Sequence, residues 1–216
     1  MKIPAFLIFD LDGTISDPSI GIGRSLNYAL SAFDYPILAE QEVSQYIGPP
    51  LDQTFRLLTQ STSQTHVQDL VNKYRERYAD VGFAENVLYP GIAEALASLA
   101  AQGMPLGLCT SKPLKFAERI LTLFELREYF SVTSGGDVGI QKTQQLRALL
   151  NGGAVGAAST MIGDRAVDIQ AAVANGFRSV GVLWGHGSQA ELTAAEPNLL
   201  LHSPEQLMYL GQRNGG

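Results

Sequence analysis

The chain is short of several things. It has one cysteine, Cys109, one tryptophan and three histidines, and its 15 basic side chains are outnumbered by 21 acidic ones. A lone cysteine forms no internal disulfide, and Cys109 sits inside an apolar run, so it reads as a small buried residue in a reduced compartment. The formal charge of -6 argues against a nucleic-acid surface, which needs a basic patch. It leaves room for a small anionic substrate, because a local cation and a lysine can outweigh the mean charge. No apolar stretch is long enough to cross a bilayer, and the N-terminal apolar run stops at Asp10, too early for a signal-peptide core. Repeats and low-complexity tracts are missing as well. The expectation is a soluble cytoplasmic protein with no membrane or nucleic-acid partner, and 216 residues can bury a sizeable core.

What is present is concentrated in Asp10-Leu11-Asp12-Gly13-Thr14. The preceding Ala-Phe-Leu-Ile-Phe run, Ala5 to Phe9, reads as a fully buried strand. Stripping water from unpaired carboxylates is expensive, so a buried strand does not normally end in two of them. Asp10 and Asp12 would project the same way if the extension continued. Like charges that close need a cation between them or a proton on one. The simplest account is a cation-binding catalytic pair at the carboxyl end of a strand, with Gly13 permitting a sharp exit.

The remaining pattern divides the chain. From Ser16 to Asn86 it is helical: Asp17-Pro18 reads as a capped helix start, with Ile22, Leu26, Leu30 and Phe33 at helical spacing. Short helices are expected over Ala39 to Tyr46 and Leu51 to Leu58. A longer one carries Val67, Leu70, Val71, Tyr74, Tyr78 and Val81 on one face and ends at Gly82. After Tyr89-Pro90-Gly91, helices and strands alternate. Strands are expected at Pro105 to Cys109, Phe130 to Thr133, Thr160 to Ile162, Ser179 to Leu183 and Leu199 to Leu201. The intervening helices cover Ile92 to Gln102, Phe116 to Phe124, from Lys142 through Leu150, Ile169 to Ala174 and Gln189 to Ala194, and Glu205 to Leu210 closes the series. Such alternation implies right-handed crossovers and a parallel sheet. The predicted architecture is an α/β, doubly wound, parallel-sheet Rossmann-like core (1-15 and 88-216) with a helical cap domain (16-87) inserted after the first strand.

Ligands of open α/β sheets bind outside the carboxyl ends of strands. Three predicted strands end in polar groups there: Asp10 and Asp12, Thr110 and Ser111, and Asp164. Asp168 lies one helical turn beyond Asp164, and Lys142 opens a helix. With these residues in place the chain resembles the haloacid dehalogenase superfamily of phosphohydrolases over nearly its whole length. Asp10 to Thr14 resembles its first motif, Thr110-Ser111-Lys112 its second, Lys142 its third, and Gly163-Asp164 through Asp168 its fourth. Ile47-Gly48-Pro49-Pro50-Leu51 and Gly181-Val182-Leu183-Trp184-Gly185-His186-Gly187-Ser188 resemble the phosphoglycolate phosphatase-like branch. Lys142 is followed by Thr143, where many relatives carry proline.

The resemblance implies a magnesium-dependent phosphatase of a small phosphorylated metabolite. Phosphoglycolate is the first candidate and a nucleoside monophosphate the second; a phosphomutase of the beta-phosphoglucomutase type is the rival within enzymes. It implies that Asp10 attacks phosphorus to form an aspartyl-phosphate and that Asp12 acts as general acid, then base. Mg2+ would be held by Asp10, the Asp12 main-chain carbonyl and Asp164, with Asp168 behind them. Thr110, the Ser111 amide and Lys142 would hold the phosphoryl oxygens, Lys112 competing with Lys142 for that place. Gly48 and Arg56, with Gln53, are the candidate substrate-binding residues of the cap. A catalytically silent binding module would lack Asp10, Asp12 or Asp164, and all three are present. His66, His202 and Trp184 read as structural, and so, first, does His186, although its glycine-rich loop near the carboxyl rim leaves a role at the site mouth open; Arg165 reads as an ordinary exposed arginine. Nothing in the residues separates monomer from dimer.

Overall fold

The computed structural model describes residues 4–136 and 140–211. Chain order runs β1 (Leu7–Phe9), β2 (Ser16–Asp17), α1 (Ser19–Ala32), α2 (Leu51–Thr59), α3 (Gln64–Asp80) and β3 (Val87–Leu88). An alternating series follows: α4 (Ile92–Ala101), β4 (Leu106–Pro113), α5 (Leu114–Leu123), β5 (Phe130–Gly136) and α6 (Lys142–Asn151). It is completed by β6 (Thr160–Gly163), α7 (Ala166–Ala174), β7 (Arg178–Val182), α8 (Gln189–Ala194) and β8 (Leu199–Leu201). The contacts divide these residues into two compact units, one comprising the described residues up to Asp17 and from Leu88 onward, the other Pro18–Val87.

In the first unit, six strands form a parallel sheet in the order β5-β4-β1-β6-β7-β8. The apolar run around β1 can be hydrophobic on both faces because β1 is central. Leu7 stands opposite Leu106 and Thr160, and Phe9 opposite Leu108 and Ile162. From β1 the chain fills one side of the sheet with β4 and β5, then crosses to the other for β6, β7 and β8. The order therefore reverses between β1 and β6, and the crevice outside the carboxyl ends at such a switch point is where α/β sheets bind ligands. Alternation sends Phe6 and Ile8 to one face. There they are buried with Cys109, Met161, Leu146 of α6, and Ala171 and Ala172 of α7. Phe9 instead meets Phe130 edge-on, ring centroids 6.3 Å apart.

The second unit is helical. Ile22, Leu26 and Leu30 of α1 and Val67, Leu70, Val71, Tyr74 and Tyr78 of α3 are buried. Phe55 of α2 meets Tyr74 edge-on at 6.4 Å. Gly21 and Gly82 let two backbone segments meet: a Cβ on Gly21 would fall well inside contact distance of the Gly82 carbonyl. Glu85 is shared by Arg24 at 2.7 Å and Arg77 at 2.8 Å.

Several local expectations change. Asp17 lies in β2, and the N-cap position of α1 falls one residue later, on Pro18, whose own side chain makes no bond there. Val81 is 42% exposed and lies past the end of α3, while Gly82 is buried and opens a 3-10 turn, Gly82–Glu85. Glu40–Tyr46 and Pro204–Leu210 are 3-10 rather than α-helical. The largest difference is in β4, which does not stop at Cys109 but continues through Thr110, Ser111 and Lys112 to Pro113, with a register shift after Cys109. The neighbouring strand makes this possible, since a Cβ on Gly136 would collide with the Ser111 carbonyl and one on Gly135 with the Leu114 backbone.

Candidate active site

The site grows from the end of β1. The Asp10 amide donates to the Ile162 carbonyl at 2.9 Å, which carries the β1–β6 ladder one residue further and fixes the backbone where the side chain departs. Asp10 follows Phe6 and Ile8 in the alternation and so faces α6. Its Oδ2 lies 2.7 Å from Nζ of Lys142, the first residue of that helix, and its Oδ1 accepts from the Leu11 amide at 2.8 Å. The same ammonium is paired with Asp168 Oδ1. Asp168 belongs to the first turn of α7, and its Oδ2 accepts from the Arg165 amide at 3.1 Å. Gly163 makes the room, because a Cβ there would occupy the Asp168 carboxyl.

Asp164, at the end of β6, is fully buried. Its Oδ1 accepts from the Thr14 hydroxyl at 3.3 Å and its Oδ2 from the His186 amide at 2.8 Å. Gly13, at φ +82, permits the approach, since any Cβ there would overlap the Asp164 carboxylate. Asp10, Asp164 and Asp168 each offer one oxygen to a common point, these atoms lying within 4.8 Å of one another. Three buried carboxylates face a single ammonium in this cluster, an excess of negative charge that a proton or a cation must offset. Burial, helped by the Asp10 charge, pushes Asp164 up to about 6. Burial also raises Asp168, against the pull of Lys142. Burial alone would lower Lys142, but Asp10 and Asp168 outweigh it and hold the ammonium charged. An all-carboxylate donor set of this kind fits a hard divalent cation.

Asp12 stands apart from that trio. Its Oδ2 is 2.7 Å from Nζ of Lys112, and its buried Oδ1 has no hydrogen-bond partner. Burial raises its pKa, with Lys112 opposing and Asp10 adding to the rise. Thr110 is buried, its hydroxyl accepting from the Lys112 amide at 3.2 Å and its carbonyl from Gln145 Nε2 at 3.0 Å; Ser111 is exposed. The two lysines therefore serve different acids, Lys142 holding Asp10 and Asp168 while Lys112 holds Asp12. A strand expected to end at Cys109 hid the second pairing. Had β4 been extended, alternation would have put Thr110 and Lys112 on one face.

The helical unit carries the other candidates. Gly48 is exposed at φ +106 in the turn between Tyr46 and Leu51. Arg56 does not present a free guanidinium: it donates to the Ser61 carbonyl at 3.5 Å and is bonded to Gln64 Oε1, within its own unit. His66 is a packing residue, 2.9 Å from the Tyr35 hydroxyl and edge-on to Phe33. Arg165 is paired with Glu191 at 2.9 Å. The glycine-rich Trp184–Gly187 loop reaches the carboxylates themselves. Besides the His186 amide on Asp164, Trp184 Nε1 donates to the Thr14 carbonyl at 3.0 Å. Burial pushes the Cys109 thiol, behind Lys142, up to about 12, in keeping with an inert packing role.

The profile of the haloacid dehalogenase-like hydrolases matches residues 7–182. A 5'-nucleotidase of Pseudomonas aeruginosa is 39% identical over 197 residues, 88% of each chain. A phosphoglycolate phosphatase of Shigella dysenteriae is 32% identical over 225 aligned residues, 93% of this chain and 89% of that one. A Clostridium difficile protein, described provisionally as a phosphatase, superposes with a TM-score of 0.88 at 34% identity, covering 97% of this chain and 99% of its own.

Proposed function

The chain belongs to the haloacid dehalogenase-like hydrolase family, and from that membership we propose that it is a magnesium-dependent phosphatase of a small metabolite, acting through an aspartyl-phosphate. The observation that carries this reading is the buried Asp10–Asp164–Asp168 cluster with Lys142 bridging Asp10 and Asp168 at the β1/β6 switch point. In this reading 1-15 and 88-216 form the catalytic core and 16-87 the cap that selects the substrate through Gly48 and Arg56.

The chemistry follows from the side chains. Asp10, its carboxylate anchored by the Leu11 amide and Lys142, attacks phosphorus. The bond from phosphorus to the ester oxygen breaks, and Asp12 delivers a proton to that oxygen. A carboxyl whose pKa is raised by burial is suited to carry one. Asp12, now a carboxylate, takes a proton from water as that water attacks the acyl phosphate, releasing phosphate and restoring Asp10. Lys142, the Thr110 hydroxyl and the Ser111 amide balance charge on the phosphoryl oxygens. Mg2+, held by Asp10, Asp164 and the Asp12 main-chain carbonyl with Asp168 beside them, would add the remaining neutralisation of those oxygens.

The substrate is read as phosphoglycolate or a close analogue. A nucleoside 5'-monophosphate is the second reading, favoured by the 39% identity to the Pseudomonas aeruginosa nucleotidase. Phosphate release from phosphoglycolate, 5'-nucleotides and sugar phosphates, with Mg2+ or with excess chelator, tests both. Asp10→Asn should abolish turnover while the circular dichroism spectrum is kept. A variant retaining a tenth of wild-type turnover would refute covalent catalysis by Asp10, and full activity in chelator would remove the cation.

A further inference from the structure

One motif finds no place in the chemistry above: Trp184-Gly185-His186-Gly187, the loop after β7. Its contacts converge on Asp164. The His186 amide donates to Asp164 Oδ2 at 2.8 Å. The other carboxylate oxygen accepts from the Thr14 hydroxyl at 3.3 Å, and the Thr14 carbonyl is in turn held by Trp184 Nε1 at 3.0 Å. Each Asp164 oxygen is thus fixed by a group that this loop supplies or steadies.

The glycines let the loop lie this close. A Cβ on Gly185 would collide with the Gly13 carbonyl and come within 2.6 Å of Asp164 Oδ2, and one on Gly187 would collide with the Asp164 carbonyl. The His186 side chain reaches 3.5 Å from Asp17 Oδ1, at the far end of the segment that follows the β1 acids. Just beyond the loop, Ser188 caps α8, whose Glu191 accepts from the Ala166 amide and from Arg165 Nε, both at 2.9 Å. The start of α7, between Asp164 and Asp168, is therefore clamped from the same side.

We propose that the Trp184–Gly187 loop is a positioning element that sets the Asp164 carboxylate and so governs the affinity of the core for its divalent cation. The inference rests on the cation reading given above. Groups that orient a ligating carboxylate typically change metal affinity by about 10- to 100-fold when altered. The loop acts through Asp164 and Thr14, and its residues are positioning residues.

The test is titration calorimetry of Mg2+ into the full-length, metal-stripped protein, wild type against Gly185→Ala and Trp184→Phe, with unfolding midpoints recorded alongside. Gly185→Ala should weaken Mg2+ binding by about tenfold or more. Trp184→Phe keeps most of the ring bulk and removes one hydrogen bond, so it is the milder change and decides the matter if the alanine variant does not fold; it should weaken binding by more than about twofold. A purely structural loop would lower the midpoint and leave the affinity alone. Mg2+ binding by Trp184→Phe within twofold of wild type overturns the proposal while the cation reading stands. A wild-type protein that takes up no Mg2+ overturns the cation reading, and the proposal falls with it.

Discussion

Asp164 makes the electrostatic argument measurable without substrate. Burial and the neighbouring Asp10 raise its carboxyl from an ordinary 3.8 to about 6. The folded protein thus holds that proton more tightly than the unfolded chain does. Its stabilising contribution is complete below the unfolded value and is lost as pH rises through about 6. A shift of about two units at about 1.4 kcal/mol each is worth about 3 kcal/mol once ionisation is complete. Asp164→Asn is a neutral stand-in for the protonated form. Its amide oxygen can accept from the His186 amide, and the Thr14 hydroxyl can turn to accept from its NH2. In metal-free protein, the stability of Asp164→Asn relative to wild type should therefore rise by about 2–3 kcal/mol between pH 4 and pH 7.5. Urea unfolding followed by the fluorescence of Trp184, the one tryptophan of the chain, reads the unit that carries the sheet. Mg2+ should narrow the difference at pH 7.5 by stabilising the wild type. A difference between variant and wild type that stays constant within about 1 kcal/mol across this range would refute the claim that ionising Asp164 is costly in the metal-free fold.

Three further outcomes follow from the same geometry. Asp12→Ala leaves the main-chain carbonyl in place and should slow turnover by about 10²–10⁴, less for an aryl phosphate when phosphorylation limits the rate; equal losses on alkyl and aryl esters would count against the acid role. Lys142→Ala strands the buried Asp10 and Asp168 carboxylates and should cost about 3–5 kcal/mol in metal-free unfolding at neutral pH, so a loss below about 1 kcal/mol would show that the lysine is dispensable to the cluster. Arg56→Ala should change the ranking of substrates more than the rate on a minimal aryl phosphate, and a uniform slowing of all substrates would make the arginine scaffold, as its bonds to Ser61 and Gln64 would then suggest.

Much of this was legible in the residues. Composition and periodicity carry the parallel sheet and the inserted helical block, because burial enforces a two-residue or 3.6-residue period whatever the rest of the chain does. The acids were conspicuous for the same reason: Asp10, Asp12 and Asp164 end strands too apolar to tolerate unpaired charge. Lys142 was legible as the start of a helix at the same rim. The partners of these charges were not. That Lys142 bridges Asp10 and Asp168 while Lys112 takes Asp12 depends on how far β4 runs, and this is decided by Gly135 and Gly136 in the adjoining strand. That Trp184 and His186 hold Thr14 and Asp164 depends on contacts between residues about 170 and 22 positions apart. Local sequence determines which segments must be buried and where charge must surface in them. Which charges meet is a property of strand order and register, which arise only when distant segments compete for the same neighbours.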